Sequence, residues 1–368
     1  MAKIKEFLRR KDIVFSDKRY GIDALGAMAQ GLFCTLLVGT ILNTIGQQFH
    51  IGFLNAVIVT LGSGEGSLSY TIGGLASAMV GPGIAVAIGS ALHAPGLVLF
   101  SLIPVGFAAN AMGGAGGPLA VYFIAIVACE CGKLVSRETK IDILVTPIVT
   151  ILVGIGVASL VAAPIGAAAS AVGTAIMWAT ELQPLLMGIA VSALVGIALT
   201  LPISSAAICA ALSLTGLAGG AAVAGCCAQM VGFAVMSFRE NRWGGLVAQG
   251  VGTSMLQMPN IIKNPRIWIP PTLASMITGP LATCLFKLEM NGAPVSSGMG
   301  TCGFVGQIGV YTGWVNDVAS GAKAAITGFD WLGLALICFI LPAVLSWVFC
   351  EVLRGWGWIG ENDLKLDL

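Results

Sequence analysis

Charged side chains are scarce in this chain. They make up 10% of its 368 residues, and the formal net charge is +1. Soluble domains usually contain about 25% charged residues, so this scarcity excludes an ordinary soluble protein, and the charge balance gives no sign of nucleic-acid binding. Because 57% of the residues are hydrophobic and apolar runs continue almost to the C-terminus, we expect one polytopic integral membrane domain.

Histidine is scarcer still, with only His50 and His93 in the chain. They lie far apart, and no later histidine could activate the many serine and cysteine side chains, so we expect no catalytic residues. Most of the ten cysteines lie in apolar runs, and neither Cys129–Glu130–Cys131 nor Cys226–Cys227 has the spacing of metal ligands. We therefore expect no metal and no cofactor.

Basic residues are concentrated at the start of the chain, where residues 1–22 contain seven of the eighteen. The positive-inside rule places this segment in the cytoplasm. Apolar residues interleave with the charges, as in a helix lying among lipid headgroups; a solvated tail is the alternative. We expect residues 1–22 to form a cytoplasmic basic amphipathic segment, residues 23–355 a single membrane transport domain, and residues 356–368 a short polar tail.

Long apolar runs predict membrane spans in both halves of the chain. They lie near residues 23–46, 68–92, 95–112, 117–132, 142–164, 217–238 and 331–353. Residues 51–61 are too short for a span and precede a glycine-rich loop, a pattern that indicates a half-helix. Glu65 in this loop is either a membrane-embedded carboxylate or an aqueous loop residue. Counting every apolar run as a crossing puts Arg239 outside, so either one run is re-entrant or residues 165–181 also cross.

The run from Pro184 to Ala210 is long enough to cross a bilayer and then breaks. Pro202 removes a backbone donor, and Ser204 and Ser205 supply hydroxyls where helical hydrogen bonds are lost. Irregular backbone at membrane depth must be buried in protein or line a cavity, so this elbow is a candidate wall of a substrate chamber. A proline kink between two ordinary helices is the alternative.

A second polar break follows Val247. Polar side chains cluster there between apolar segments, with prolines close behind: Gln249, Thr253, Ser254, Gln257, Asn260 and Asn264. Such polar density beside broken helices is typical of a binding site; a polar external loop is the alternative.

A third break runs from Asn291 to Trp314. Four of its glycines lie at intervals of three and would form a smooth packing ridge if they were helical: Gly300, Gly303, Gly306 and Gly309. Ser296 and Ser297 lie at the entrance to this stretch, and Gln307 and Asp317 bring polar groups near its ends.

Three stretches carry a resemblance to a known family. They are PLLMGIAVSALVGIALTLPISSAAI (184–208), MPNIIKNPRIWIPP (258–271) and PVSSGMGTCGFVGQIG (294–309). The chain resembles the membrane-spanning enzyme IIC subunits of the bacterial sugar phosphotransferase system, in the branch that includes PfoR-like regulators. This resemblance implies an all-α protein of about ten transmembrane helices with re-entrant hairpins, a homodimer in the bacterial cytoplasmic membrane, and a carbohydrate held between the hairpins and later spans.

One departure from that family bears on mechanism. Its sugar transporters carry a histidine and a glutamate before a segment like NIIKNPRIWIP, whereas this chain has GVGTSMLQM, with Thr253 and Ser254 where an acid is expected. We also expect no fused phosphoryl-carrying domain, so phosphorylation would need a separate IIB-type partner.

The sequence therefore predicts a permease subunit for a small polar solute, carbohydrate-like in chemistry. A membrane sensor that binds such a solute and signals to a cytoplasmic partner is the alternative. The candidate substrate-binding residues are Ser204, Ser205, Thr253, Ser254, Gln257, Asn260, Asn264, Ser296, Ser297 and Gln307, and the candidate coupling carboxylates are Glu65 and Asp317.

Overall fold

The computed structural model describes residues 2–62 and 67–366, and Glu65 lies outside this part of the chain. Helices dominate the described residues, with one two-stranded sheet. The predicted all-α membrane fold is thereby confirmed. The chain divides into two compact units, Met1–Ala168 and Ala169–Leu368.

The first unit begins with a short helix and continues with long apolar ones. Its helices are α1 (Ala2–Arg10), α2 (Arg19–Gln48), α3 (Ile72–Ala78), α4 (Val80–Ala91), α5 (Gly96–Gly113), α6 (Gly117–Val135) and the first part of α7 (Asp142–Thr180). Helices α3 and α4 are bent by 53° relative to each other. A tight turn containing Gly114, at φ +52°, joins α5 to α6.

Glycines let these helices approach each other closely. A Cβ atom on Gly81 in α4 would lie 2.2 Å from the carbonyl oxygen of Gly106 in α5, and one on Gly31 in α2 would lie 2.6 Å from that of Gly83. Only hydrogen fits at these positions, so the backbones touch, as is typical of helix pairs within membranes.

The half-helix expected over residues 51–61 is wrong for most of that stretch. Only Gly52–Asn55 forms a helical turn, and Val59–Leu61 pairs antiparallel with Leu68–Tyr70 in a β-hairpin. The run of β-branched residues Val57–Thr60 favours a strand here.

The segment before α2 is docked on the first unit. Arg19 forms an ion pair with Asp12 at 2.6 Å, and buried Lys133 donates to the Asp12 carbonyl oxygen at 2.8 Å. Lys11 donates to the carbonyl oxygen of Ser136, and Ile13 is buried. These contacts fix the basic N-terminal segment against the ends of α4 and α6.

The second unit contains the three polar breaks. After the end of α7, its helices are α8 (Pro184–Thr200), α9 (Ser205–Ala211), α10 (Gly216–Met236), α11 (Phe238–Val247), α12 (Met258–Lys263), α13 (Ile269–Pro280), α14 (Val305–Ala319) and α15 (Gly328–Gly355). Helix α10 is almost entirely buried and forms the centre of this unit.

Helices α8 and α10 run in the same direction. Ser192 in α8 contacts Gly225 in α10. Thr200, about two turns after Ser192, donates to Gln229, about one turn after Gly225. Two consecutive parallel helices require the chain between them to turn back. Residues 201–215 therefore form a re-entrant segment, and the seven-residue α9 is too short to cross a bilayer.

Helix length separates full crossings from shorter elements. Among the described residues, five helical stretches are long and apolar enough to cross a membrane, or six if the bent pair α3 and α4 counts as one span. One of these stretches, Gly96–Val135, comprises both α5 and α6, which the turn at Gly114 separates and which pack against each other. Helix α8 is apolar but has only 17 residues.

Candidate functional site

The first predicted break lies where sequence analysis placed it. Helix α8 ends at Thr200, and Ser204 caps α9 by accepting a hydrogen bond from the Ala207 amide at 3.2 Å. Ser205 is buried, and its hydroxyl donates to the carbonyl oxygen of Gly298 at 2.7 Å. The elbow thus makes direct contact with the third predicted break.

The third break is irregular rather than helical at its start. Residues Pro294–Gly298 form a 3-10 turn, and Gly300, Gly303 and Phe304 all have positive φ before α14 begins at Val305. The condition for a glycine ridge is therefore not met, because Gly300 and Gly303 adopt left-handed backbone and only Gly306 and Gly309 lie in α14. Gly298 packs directly on Ser205, since a Cβ there would lie 2.6 Å from the Ser205 carbonyl oxygen.

The two breaks meet in what we call the hairpin junction, residues 201–215 and 291–304, which packs on the centre of α10. Ser296 and Ser297 are buried in it, and the Ser297 hydroxyl donates to the carbonyl oxygen of Pro294 at 2.7 Å. Gln307 is also buried beside it and donates to the sulfur of Cys227 at 3.1 Å. The Gln307 side-chain oxygen has no hydrogen-bond partner among the described residues.

A series of hydrogen-bonded polar side chains, centred on Gln229 of α10, lies beside this junction. The Gln229 side-chain oxygen accepts hydrogen bonds from Thr200 at 3.3 Å and from the Trp268 indole at 3.0 Å. Thr200 also contacts the Ser254 hydroxyl at 2.8 Å. Sequence reasoning missed Thr200 and Gln229, although Gln229 is the only carboxamide within an apolar 21-residue helix, a signal of an intramembrane polar site.

The second predicted break forms a connected network, which we call the carboxamide cluster: Asn241, Gln249, Gln257, Asn260 and Asn264. Gln249 is fully buried and donates to Ser237 at 2.9 Å. Gln257 donates to the Gln249 side-chain oxygen at 2.8 Å, and Asn260 donates to that of Gln257 at 2.9 Å. Thr253, next to Ser254, has a local role, because its hydroxyl accepts from the Met255 amide at 3.2 Å.

Side-chain amide groups of this cluster also donate hydrogen bonds to main-chain carbonyl groups near the C-terminus. Gln257 and Asn241 both donate to the carbonyl oxygen of Leu364, at 3.0 and 2.7 Å. Asn260 donates to that of Lys365 at 2.8 Å. The sequence carries no signal for this contact, because about a hundred residues separate the partners.

Asp317 lies at the other end of α10, away from the carboxamide cluster. It accepts a hydrogen bond from Asn291 at 2.9 Å, and Asn291 in turn accepts from the Gly216 amide at the start of α10. Asp317 borders a cleft of about 290 Å³ that Lys287, Glu289, Trp314 and Lys323 also line. The second unit therefore has polar groups at both ends of α10 and in its middle.

The described residues contain no group of three or more histidine, cysteine, aspartate or glutamate side chains that could hold a metal ion. The ten cysteines are all free, and seven of them are buried. The chemistry available at the hairpin junction is accordingly that of neutral hydroxyl, carboxamide and thiol groups.

Broken helices that meet among apolar ones are typical of the substrate sites of membrane transporters. A family comparison agrees with this class: residues 22–366 match the family described as phosphotransferase system, EIIC, and the chain belongs to that family. It is thus a membrane-embedded permease component. No curated protein and no solved structure matches the chain.

Proposed function

We propose that this chain carries a small polar solute, a carbohydrate or a related polyol, through the hairpin junction. The observation behind the proposal is the buried Gln307 oxygen, which has no hydrogen-bond partner among the described residues. A buried acceptor without a hydrogen bond destabilises the protein by about 1–3 kcal/mol, so a hydroxyl group of a ligand is a natural donor for it. Hydroxyls of Ser204, Ser205, Ser296 and Ser297 surround the same junction.

Charge distribution supports a cytoplasmic N-terminus. All ten basic residues of the first unit lie in residues 3–19 and 133–140, at or beyond the ends of α2, α4 and α6. In the second unit, six of eight basic residues flank the carboxamide cluster: Arg239, Arg242, Lys263, Arg266, Arg354 and Lys365. By the positive-inside rule, these ends face the cytoplasm, which in a bacterium means the inner face of the cytoplasmic membrane.

On this orientation, the solute enters beside Asp317, passes the hairpin junction and leaves beside the carboxamide cluster. Thr253 and Ser254 would lie along the second half of the path, and Gln257, Asn260 and Asn264 at its exit. Asp317 and Glu65 remain the candidate coupling carboxylates. A homodimer and a separate IIB-type cytoplasmic partner complete the proposal, as in the family's sugar transporters.

A sensor is the second candidate, and a specific observation favours it. Residues 250–258 contain no acid and no histidine, so the groups expected to contact a sugar at its phosphorylated hydroxyl are missing. A PfoR-like regulator would bind the solute at the same junction and pass the signal to a cytoplasmic partner without transport.

A thermal-shift screen of sugars, polyols and sugar phosphates on the purified full-length protein tests solute binding. A ligand present at a hundred times its Kd stabilises the folded state by about 2.7 kcal/mol. We expect a hit from this panel, and we expect Gln307→Leu to weaken it at least tenfold. The control is Gln30→Leu, because Gln30 is an exposed carboxamide in α2. A panel without a hit, or a hit unchanged by Gln307→Leu, would contradict the proposed site.

A further inference from the structure

The C-terminal tail, residues 358–366, covers the carboxamide cluster. Four amide groups of the cluster donate to it, and the contact is reciprocal at one position, because the Leu366 amide donates to the Asn241 side-chain oxygen at 2.8 Å. Asn264 extends the contact by donating to the Trp358 carbonyl oxygen at 2.9 Å and to Asp363 at 2.7 Å. The free amide hydrogens of the carboxamide cluster are thus occupied by the tail.

We propose that this tail is a removable plug in a site that binds hydrogen-bond acceptors. A polar solute on its way out of the protein displaces the tail from this site. The inference rests on the proposed function for the identity of the solute. It adds a closed state to the permease, in which residues 358–366 occupy the exit.

The cluster binds the tail mainly through main-chain oxygens. Three carbonyl groups accept from it, those of Trp358, Leu364 and Lys365. Carbonyl oxygens, sugar hydroxyls and phosphate oxygens all accept hydrogen bonds from amide groups. The same four donors can therefore serve a carbohydrate or a sugar phosphate once the tail has left.

Release of the tail opens two amide donors to whatever enters the site. While the tail is docked, Gln257 is fully buried and Asn260 is 5% exposed, and each uses its oxygen or its other amide hydrogen within the network. Once the tail has left, their remaining amide hydrogens bond to water or to a solute. A solute that offers several acceptors replaces the carbonyl groups of the tail, so solute and tail compete for the site.

The tail has few other attachments. Ile359 and Leu364 are its only buried apolar side chains, whereas Gly360, Glu361, Asn362 and Lys365 are exposed. The Trp358 ring adds two contacts, one with Arg266, at 5.2 Å from the ring centroid, and one with the ring of Trp356. A segment held by two apolar side chains and a row of exchangeable hydrogen bonds is suited to reversible release.

Limited proteolysis of the full-length protein measures tail release. A glutamate-specific protease cuts after Glu361 when the tail is undocked, and intact mass gives the rate. We expect Leu364→Ser, which removes the buried anchor, to raise this rate at least tenfold. Lys365→Ser is the matched control, because Lys365 is the exposed neighbour and binds only through its main chain. Equal rates for the two variants would overturn the inference.

Binding of a peptide and of solutes is then measured on the same two variants. Leu364→Ala replaces Leu364→Ser if the latter does not give a single species in size-exclusion chromatography. A synthetic peptide of residues 358–366 should bind the released variant and not the wild type; a peptide that binds neither contradicts a removable plug. Sorbitol, glucose and glucose 6-phosphate should bind the released variant at least tenfold more tightly than Lys365→Ser. A probe that binds both variants equally would show that solute and tail do not compete. If the peptide binds but no sugar or polyol does, the tail is a removable plug and the proposed solute class is wrong.

Discussion

At the scale of single residues, most of the predicted binding groups already have partners within the chain. Ser204 caps α9, Ser205 and Ser297 bond to backbone carbonyl groups, and Gln257 bonds to Gln249 and to the tail. Their residue types could be recognised from sequence, because polar groups are rare at membrane depth. Their partners could not, since these depend on which distant segments the fold brings together.

Gln229 is the residue whose loss should harm the second unit most directly. Gln229→Ala removes the acceptor of Trp268 and Thr200 at a fully buried position. Thr200 keeps its contact with Ser254, but the half-buried Trp268 indole loses its acceptor, which should destabilise the fold by about 1–3 kcal/mol. Thermal unfolding in detergent measures this, with exposed Gln30→Ala as the control. Equal melting temperatures for the two variants would show that Gln229 is not a structural node.

Asp12 should make the docking of the N-terminal segment depend on pH. The hydrogen bond from Arg19 lowers the pKa of Asp12 from 3.8 to about 2, with His93 and Lys133 contributing. Because the folded-state pKa is depressed, this stabilisation is present above pH 4 and is lost as the pH falls towards 2.

The matched comparison for Asp12 is Asp12→Asn, which cannot titrate. The wild type should melt at a higher temperature than Asp12→Asn at pH 7, and the difference should shrink between about pH 4 and pH 2. A difference that stays constant over that range would mean that the Asp12 charge does not stabilise the docked segment.

At the scale of elements, local sequence signals predicted where helices break better than they predicted the structure of the segments between helices. Pro202 with Ser204 and Ser205 marked the elbow correctly, because proline removes a helical donor wherever it lies. The β-hairpin at Val59–Tyr70 and the positive φ of Gly300 and Gly303 were missed. Regular spacing of glycines fits a helix ridge and an irregular loop equally well, and only the packing against α10 decides between them.

Close helix contact at Gly225 gives a prediction at this scale. A Cβ there would lie 1.9 Å from the Ser192 carbonyl oxygen, so Gly225→Ala must push α8 and α10 apart. Overpacking of this kind usually costs about 1–3 kcal/mol. Gly156→Ala in α7 is the control, because nothing lies within 4 Å of its Cβ position, and alanine should raise helix stability there by up to about 1 kcal/mol. Similar melting temperatures for both variants would argue against close contact between α8 and α10 at Gly225.

At the scale of the whole molecule, the class of protein followed from composition and the family from three short stretches. The match over residues 22–366 confirms that family. The division into two units and the docking of residues 358–366 on the carboxamide cluster could not be predicted. Both depend on contacts between residues far apart in sequence, for which the chain carries no periodic or local signal.

Uptake by proteoliposomes tests the central claim, that the hairpin junction carries a polar solute across the membrane. The full-length protein is reconstituted, and entry of a radiolabelled sugar or polyol that binds in the thermal-shift screen is followed by exchange with unlabelled solute inside. We expect uptake above that of empty liposomes, at least tenfold reduced by Gln307→Leu and unchanged by Gln30→Leu. Binding of the solute with no uptake would contradict the permease and support the sensor instead.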